Sequence, residues 1–415
     1  MRLTSGTQRA LGLGLVSVLL GLGAGACDQT VNLGRVVGDG GPMDMGDLGE
    51  PGDMGPLDGD TGDGGAGCET PLLADMLALG SDHLCVLRAG AVTCFGGGES
   101  GQRCDGESGN TPLPTSPVGF DTYTAVYAAG LNTCLERSDG MLLCCGNNFD
   151  GTLGNGGSAS STRPVEVLSG APRVAMGFSS VYATLTAGTL SVWGANDEGQ
   201  LGLGDAADAA IRTPTAVPDV AFEEVSASTH HACAVDAAGD LYCTGTNTAN
   251  ELGIPLLTGA TEFTLVPAPT TFRSVSAGRR LSCAISTGNA LYCWGRNEPT
   301  MIAGQVGDVD EPTRVGSDSD WSSVSVGYEH VCGLRSGGRL FCWGNGAGGQ
   351  LGYEAEAEDT PTEVTPGVSY SLVRTSFAVT CAIRSADAAV VCFGDGASGQ
   401  LAGRSGSTPE TICLD

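Results

Sequence analysis

Lysine is absent from this 415-residue chain: its 19 basic residues are all arginine, against 47 Asp and Glu, for a formal net charge of −28. So acidic a surface repels phosphate backbones, which excludes nucleic acid from the expected partners. Charged residues make up only 16% and aromatic residues only 5%, while 67 glycines supply turns, the composition of an all-β repeat protein. No GxSxG, HExxH or GxxxxGK[ST] occurs, so a nucleophile elbow, a zinc-protease helix and a phosphate loop are missing. No cofactor and no metal site is expected.

What is present first is an address. Arg2 and Arg9 precede an apolar run over residues 10–26 that ends in Ala24, Gly25, Ala26 and Cys27. This reads as a bacterial signal peptide (1–26) with a lipoprotein cleavage box and Cys27 as the lipidated residue, although Ala24 stands where leucine is usual. Ordinary secretion is the alternative. A spanning helix fits less well, because the run is short for a hydrocarbon core of roughly 30 Å. Residues 27–67 carry nine acidic residues against Arg35 alone, among glycine, proline and methionine. Such a segment cannot bury a core and is expected to be a solvated tether. Its DGDTGDG has only a faint likeness to a calcium loop, with Gly62 where a third ligand belongs and no closing glutamate.

From residue 68 to 415 one hairpin is written seven times: HLCVLRAGAVTCFG, NTCLERSDGMLLCCG, VYATLTAGTLSVWG, HACAVDAAGDLYCTG, LSCAISTGNALYCWG, HVCGLRSGGRLFCWG and VTCAIRSADAAVVCFG. The first cysteine position recurs at 85, 134, 182, 233, 283, 332 and 381, steps of 48 to 51 residues that suit one propeller blade of four short strands. Two residues after the second position glycine always follows, from Gly96 to Gly394. Four residues before it stands Gly90, Gly140, Gly188, Gly239, Asn289, Gly338 or Ala388, suiting a turn with φ > 0 in all but the last.

That turn sets the two cysteines on facing strands, where a non-hydrogen-bonded antiparallel pair has Cα atoms about 4.5 Å apart, within disulfide reach. Bridges are expected for Cys85 with Cys94, Cys134 with Cys144, Cys233 with Cys243, Cys283 with Cys293, Cys332 with Cys342 and Cys381 with Cys392; the third unit has Tyr182 and Val192 instead. An exported chain keeps such bridges oxidised.

The trace WGANDEGQLG from Trp193 and WGNGAGGQLG from Trp343, with FGDGASGQLA from Phe393 and weaker copies GTLG, NELG and GQVG, resembles the repeat of the regulator of chromosome condensation family. The resemblance covers about 71–412 and implies a seven-bladed β-propeller. Members range from nucleotide exchange factors to photoreceptors and secreted enzyme inhibitors, so it does not choose a function. A nuclear exchange role fits poorly with an exported chain that lacks a basic tail.

Cysteine arithmetic extends the pattern. Cys68 lies 17 residues before Cys85, and Cys413 lies 17 before the position one 49-residue period beyond Cys381. The chain thus begins and ends at one phase of the repeat, and a Cys68–Cys413 bridge would lock a ring. Cys104 replaces the last glycine of GQLG in the first unit, and Cys145 takes the aromatic position in the second. A mutual bridge is one reading. A free thiol, or competition between Cys145 and Cys144 for Cys134, is the other.

Of four histidines, His83, His231 and His330 share one repeat position, which points to a structural hydrogen bond rather than a metal or a catalyst. His230 stands outside the pattern. The serines of SAS, SVS and SSVS also follow the repeat, as strand-edge structure. Binding surfaces are expected in the variable loops NNFDGTLGNGGSASST, LGDAADAAIRT, RNEPTMIAGQVGDVDEPT and YEAEAEDTPTE. In the last, Tyr353, Glu354, Glu356, Glu358 and Asp359 form an acidic, aromatic-edged candidate patch for a basic protein surface. The sequence therefore leads to a lipid-anchored envelope protein, monomeric, whose propeller binds a protein or a glycan without catalysis. A hydrolase or lyase using paired carboxylates at the ring's mouth is the alternative, and a structural envelope component a further one.

Overall fold

The computed structural model describes residues 68–415, apart from 69, 120–121, 172, 187, 205–208, 299–300, 303, 404 and 415. The expected signal peptide, the tether and Cys27 lie outside the described residues. Twenty-eight strands form seven four-stranded antiparallel sheets, each in simple chain order, and no helix occurs among the described residues. They are the blades of a seven-bladed β-propeller. Blade 1 consists of Met76–Leu79, His83–Arg88, Ala91–Gly96 and Thr111–Thr115.

The first strand of each blade is the innermost. These strands, such as Phe222–Ala227 in blade 4, Phe272–Ala277 in blade 5, Trp321–Val326 in blade 6 and Tyr370–Thr375 in blade 7, line a central channel of about 400 Å³. Second and third strands are sandwiched between neighbouring blades, so both of their faces are buried. Leu281–Ser286 and Leu190–Ala195 are buried at every position, which is why their sequences read as continuous apolar and small residues instead of alternating. Outermost strands are polar and partly exposed. Six of the seven carry proline, as in TPLPT, VDEPTR and GSTPET, and only the blade 4 strand Gly259–Leu265 has none. Proline cannot donate to a further strand, so it blunts an edge that would otherwise template association.

The invariant glycine after the aromatic position has one physical cause. In all seven blades the register of third against fourth strand shifts at that residue. At Gly245, φ is +107°, and a Cβ would lie 2.2 Å from the His230 carbonyl oxygen. Only glycine fits the bulge. The bulge lies beside the residue just before it, and Trp193, Trp294 and Trp343 there donate their indole N–H to carbonyls of the preceding blade, those of Thr152, Glu251 and Met301, at 2.7–2.9 Å.

All six hairpin pairs are disulfides with Cα atoms 4.1–4.2 Å apart, directly opposed in the register. Cys104 bonds Cys145. Where other blades have glycine at the Cys104 position, a Cβ would press on the next blade's aromatic ring: Gly154 on Trp193, Gly253 on Trp294, Gly352 on Phe393. Glycine and aromatic therefore touch across every such seam, and in the first seam both were exchanged for cysteine. The ring closes where residues 70–74 pair with blade 7. Leu72 N–H donates to Ile412 O at 2.7 Å, Val390 N–H to Leu72 O at 2.8 Å, and Cys68 is bonded to Cys413.

One sequence expectation needs correcting. The turn glycine position was expected to lose its positive φ at Ala388, yet Ala388 has φ +62°. Blade 7 keeps the left-handed turn, and the alanine bears its strain.

Candidate functional site: the channel and its mouth

Antiparallel order sends the first-to-second and third-to-fourth connections of every blade to the same face. Backbone hydrogen bonds tie the two connections together, from Gly97 to Asp82, Asn147 to Leu131 and Asn345 to Glu329 at 2.7–3.0 Å. The variable loops and one mouth of the channel therefore share a surface.

The rim of that mouth is one column of the repeat, the residue four before the first hairpin position: Ser81, Gly130, Phe178, Thr229, Arg279, Tyr328 and Phe377, all lining the channel. In blades 5 to 7 this column forms a stack. The Arg279 guanidinium lies 3.9 Å above the Tyr328 ring, whose centroid is 4.5 Å from that of Phe377 at 18° between planes. Phe377 is 40% exposed. Beside the stack, Arg280 and Arg296 share a recess with Glu298 and Glu329, and Arg296 pairs with Glu298 at 3.5 Å. Neither Arg279 nor Arg280 makes an ion pair among the described residues. Burial raises the Tyr328 hydroxyl, and the arginines pull it back.

Deeper in the channel, the residue opposite the first hairpin cysteine is serine in three blades. Ser226, Ser276 and Ser325 accept the backbone N–H of Ala277, Val326 and Thr375 in the next blade at 2.9–3.0 Å, stitching inner strand to inner strand. One serine from each of SAS, SVS and SSVS forms this belt. In blade 7 the same position is Arg374, opposite Cys381. Its side chain is exposed by area, but that area faces the channel, and enclosure by the ring lowers its pKa through desolvation, with Glu224 acting against this. Its recorded hydrogen bond goes to its neighbour's carbonyl, Val373 O, at 3.1 Å. Glu224 also lines the channel. Burial pushes its carboxyl up to about 6, opposed by a backbone bond from Val275 and by Arg273, Arg173 and Arg374. Tyr127, at the Arg374 level in blade 2, is raised by burial to about 12.

The histidines are latches between blades. His231 Nε2 lies 2.8 Å from Ser282 Oγ of the next blade, which donates its single proton to Glu251 O at 2.9 Å. The imidazole must then be the donor at Nε2. His83 with Thr133 and Gln102, and His330 with Thr380 and Gln350, repeat the arrangement. Burial lowers the pKa of His231 and His330 to about 3. Blade 4 has Ala232 where the hydroxyl stands, and there the Tyr182 hydroxyl of blade 3 takes the Gln200 carbonyl at 2.6 Å. His230 sits at the mouth, lowered by burial.

The expected acidic patch lies on the outer part of this face. Glu354, Glu356 and Asp359 are exposed and Glu358 is half-buried. Tyr353 is half-buried and donates its hydroxyl to Cys342 O at 2.9 Å. Among the described residues lining the channel, Glu224 is the single carboxylate. The rim stack and Arg374 were not singled out from the sequence. Reading the repeat by columns carries the signal, because serine or glycine gives way there to Arg, Tyr and Phe.

Models of the regulator of chromosome condensation (RCC1) repeat match residues 187–235, 272–298 and 321–350. The ultraviolet-B receptor UVR8 of Arabidopsis thaliana is 30% identical over 188 residues, 43% of either chain, so the chain spans less than half the length of this curated relative. Human WBSCR16 superposes with a TM-score of 0.65 at 19% identity, over 72% of this chain and 84% of that one. Yeast RCC1 (Prp20), solved bound to Kap60, gives 0.63 at 18% identity over 72% and 77%. At these identities the structural likeness is one of fold, while the matched segments carry the sequence likeness: the chain contains repeats of the RCC1 type.

Proposed function

We propose that this is a lipid-anchored protein of a bacterial cell envelope whose propeller is a rigid binding module for a protein or a glycan, without chemistry of its own. The observation that carries the binding role is the mouth of the channel. There an exposed cation–aromatic stack and unpaired guanidinium groups stand on a lysine-free chain of net charge −28, ringed by the variable loops. Yeast RCC1, which shares the fold, was solved bound to another protein, Kap60. The anchor rests on the Ala24-Gly25-Ala26-Cys27 box.

The test is affinity capture from envelope extract with the full oxidised protein, beside a reduced and alkylated control and an Arg279→Ala/Phe377→Ala variant. A partner retained by the oxidised protein and lost with the variant supports the reading. Retention equal in all three, or none, overturns it. Metabolic labelling with a palmitate analogue checks the anchor: label is expected in the protein and absent from Cys27→Ser.

A further inference from the structure

We propose that the channel mouth binds a carboxylate-bearing sugar, the acidic residue of a glycan, with its carboxylate on Arg374 and its ring against Phe377. This names a ligand for the surface assigned above and rests on that assignment.

Charge is the first ground. Arg374 replaces the serine that blades 4, 5 and 6 place at the same level, and it forms no ion pair among the described residues. A guanidinium facing the channel without a direct ion pair, with Glu224 as the single carboxylate among the described residues of the channel wall, weakens the fold, so its contribution is to be sought in a ligand. Shape is the second ground. Arg279 covers one face of Tyr328 and Phe377 the other, which leaves the outer face of Phe377 as the free platform. The C–H face of a sugar ring suits an aromatic face. Polarity and size are the third. Ser81, Thr229 and Ser376 supply hydroxyls around a space of about 400 Å³, room for one or two rings. An acidic peptide would need an apolar trough or an open strand edge, and Ser226, Ser276 and Ser325 already occupy the inner edges.

Affinity depends on pH through Glu224, which faces Arg173, Arg273 and Arg374 and the Val275 N–H, with Tyr127 also on the channel wall. Its carboxyl, raised to about 6, is neutral in mild acid and leaves Arg374 to the ligand; ionised, it competes. A free sugar carboxylate stays charged throughout, with a pKa of roughly 3.5.

Isothermal titration of the full oxidised protein with digalacturonate, and with its methyl ester, tests the proposal. Binding of the acid and not the ester is expected, stronger at about pH 5 than at about pH 7.5. Arg374→Ser should weaken it at least about tenfold, the loss of a charge-assisted hydrogen bond, while raising the melting temperature. Phe377→Ala should weaken it, and Glu224→Gln should flatten the pH dependence. Equal binding of acid and ester, or an unaffected Arg374→Ser protein, overturns the proposal. Absence of digalacturonate binding by a protein that still captures a partner defeats this ligand and leaves the binding role standing; absence of both defeats the two together.

Discussion

At the scale of single residues, the repeat reveals what each position must do by showing what replaces it. Ala388 holds φ +62° where other blades have glycine or asparagine. A left-handed alanine costs about 1 kcal/mol, so Ala388→Gly is expected to stabilise the protein by about 0.5–1 kcal/mol in urea denaturation, net of chain entropy. The buried histidines give stability a pH dependence. His231 and His330 titrate near 3 when folded and near 6.5 when unfolded. Below about 6.5 the unfolded chain takes protons that the folded one refuses, so stability is complete above that pH and falls as pH drops toward 3. Each contributes a slope of about 1.4 kcal/mol per pH unit. The raised carboxyls of Glu224, Glu136, Asp150 and Glu251 run the other way, losing stability as pH rises, so the histidine contribution is read as the difference between variant and parent. Between denaturation midpoints measured at pH 7 and pH 5, His330→Asn, the residue that blade 2 carries as Asn132, should lose less stability with acidity than the parent. An unchanged slope in that variant counts against the latch.

At the scale of elements, blade 3 is the soft one. It has no hairpin disulfide, its inner strand Arg173–Met176 is only four residues long, and a cavity of about 240 Å³ lies beside that strand. Closing a ten-residue hairpin is worth roughly 2–3 kcal/mol, which six blades have and this one lacks. Its substitute is the Tyr182 hydroxyl on the Gln200 carbonyl. Amide exchange is expected to be fastest in blade 3, and uniform protection around the ring would remove this reading. Tyr182→Phe leaves a buried carbonyl without its donor and should cost about 1–2 kcal/mol, with faster exchange localised to the seam between blades 3 and 4.

For the whole molecule, closure is the decisive contact: residues 70–74 pair with blade 7 and Cys68 bonds Cys413, beside a seam where Leu77, Leu84 and Phe95 of blade 1 pack against Val379, Ile383 and Leu401 of blade 7. A loop of 345 residues makes the bridge worth up to about 6 kcal/mol by chain entropy. Cys413→Ser is expected to lower stability by that order and to raise exchange in blades 1 and 7 first. Chemical denaturation followed by exchange mass spectrometry decides it.

Blade number, hairpin pairing, the phase match of Cys68 and Cys413 and the edge role of the serines were all legible in the sequence, because each follows from one period and from local geometry repeated along the chain. The Cys104–Cys145 bond was legible only as one of several options; it became definite once glycine and aromatic were seen to touch at the other seams. The mouth was not legible. Arg279, Tyr328 and Phe377 lie about 50 residues apart in the chain, and only the circular arrangement of the blades sets them in one stack. Sequence determined the blade, since short-range hydrogen bonding and side-chain period decide a hairpin. The channel, with Arg374 and Glu224 facing one space from blades 7 and 4, was decided by the ring alone, because which residues share an enclosed volume depends on how the blades close and not on their order.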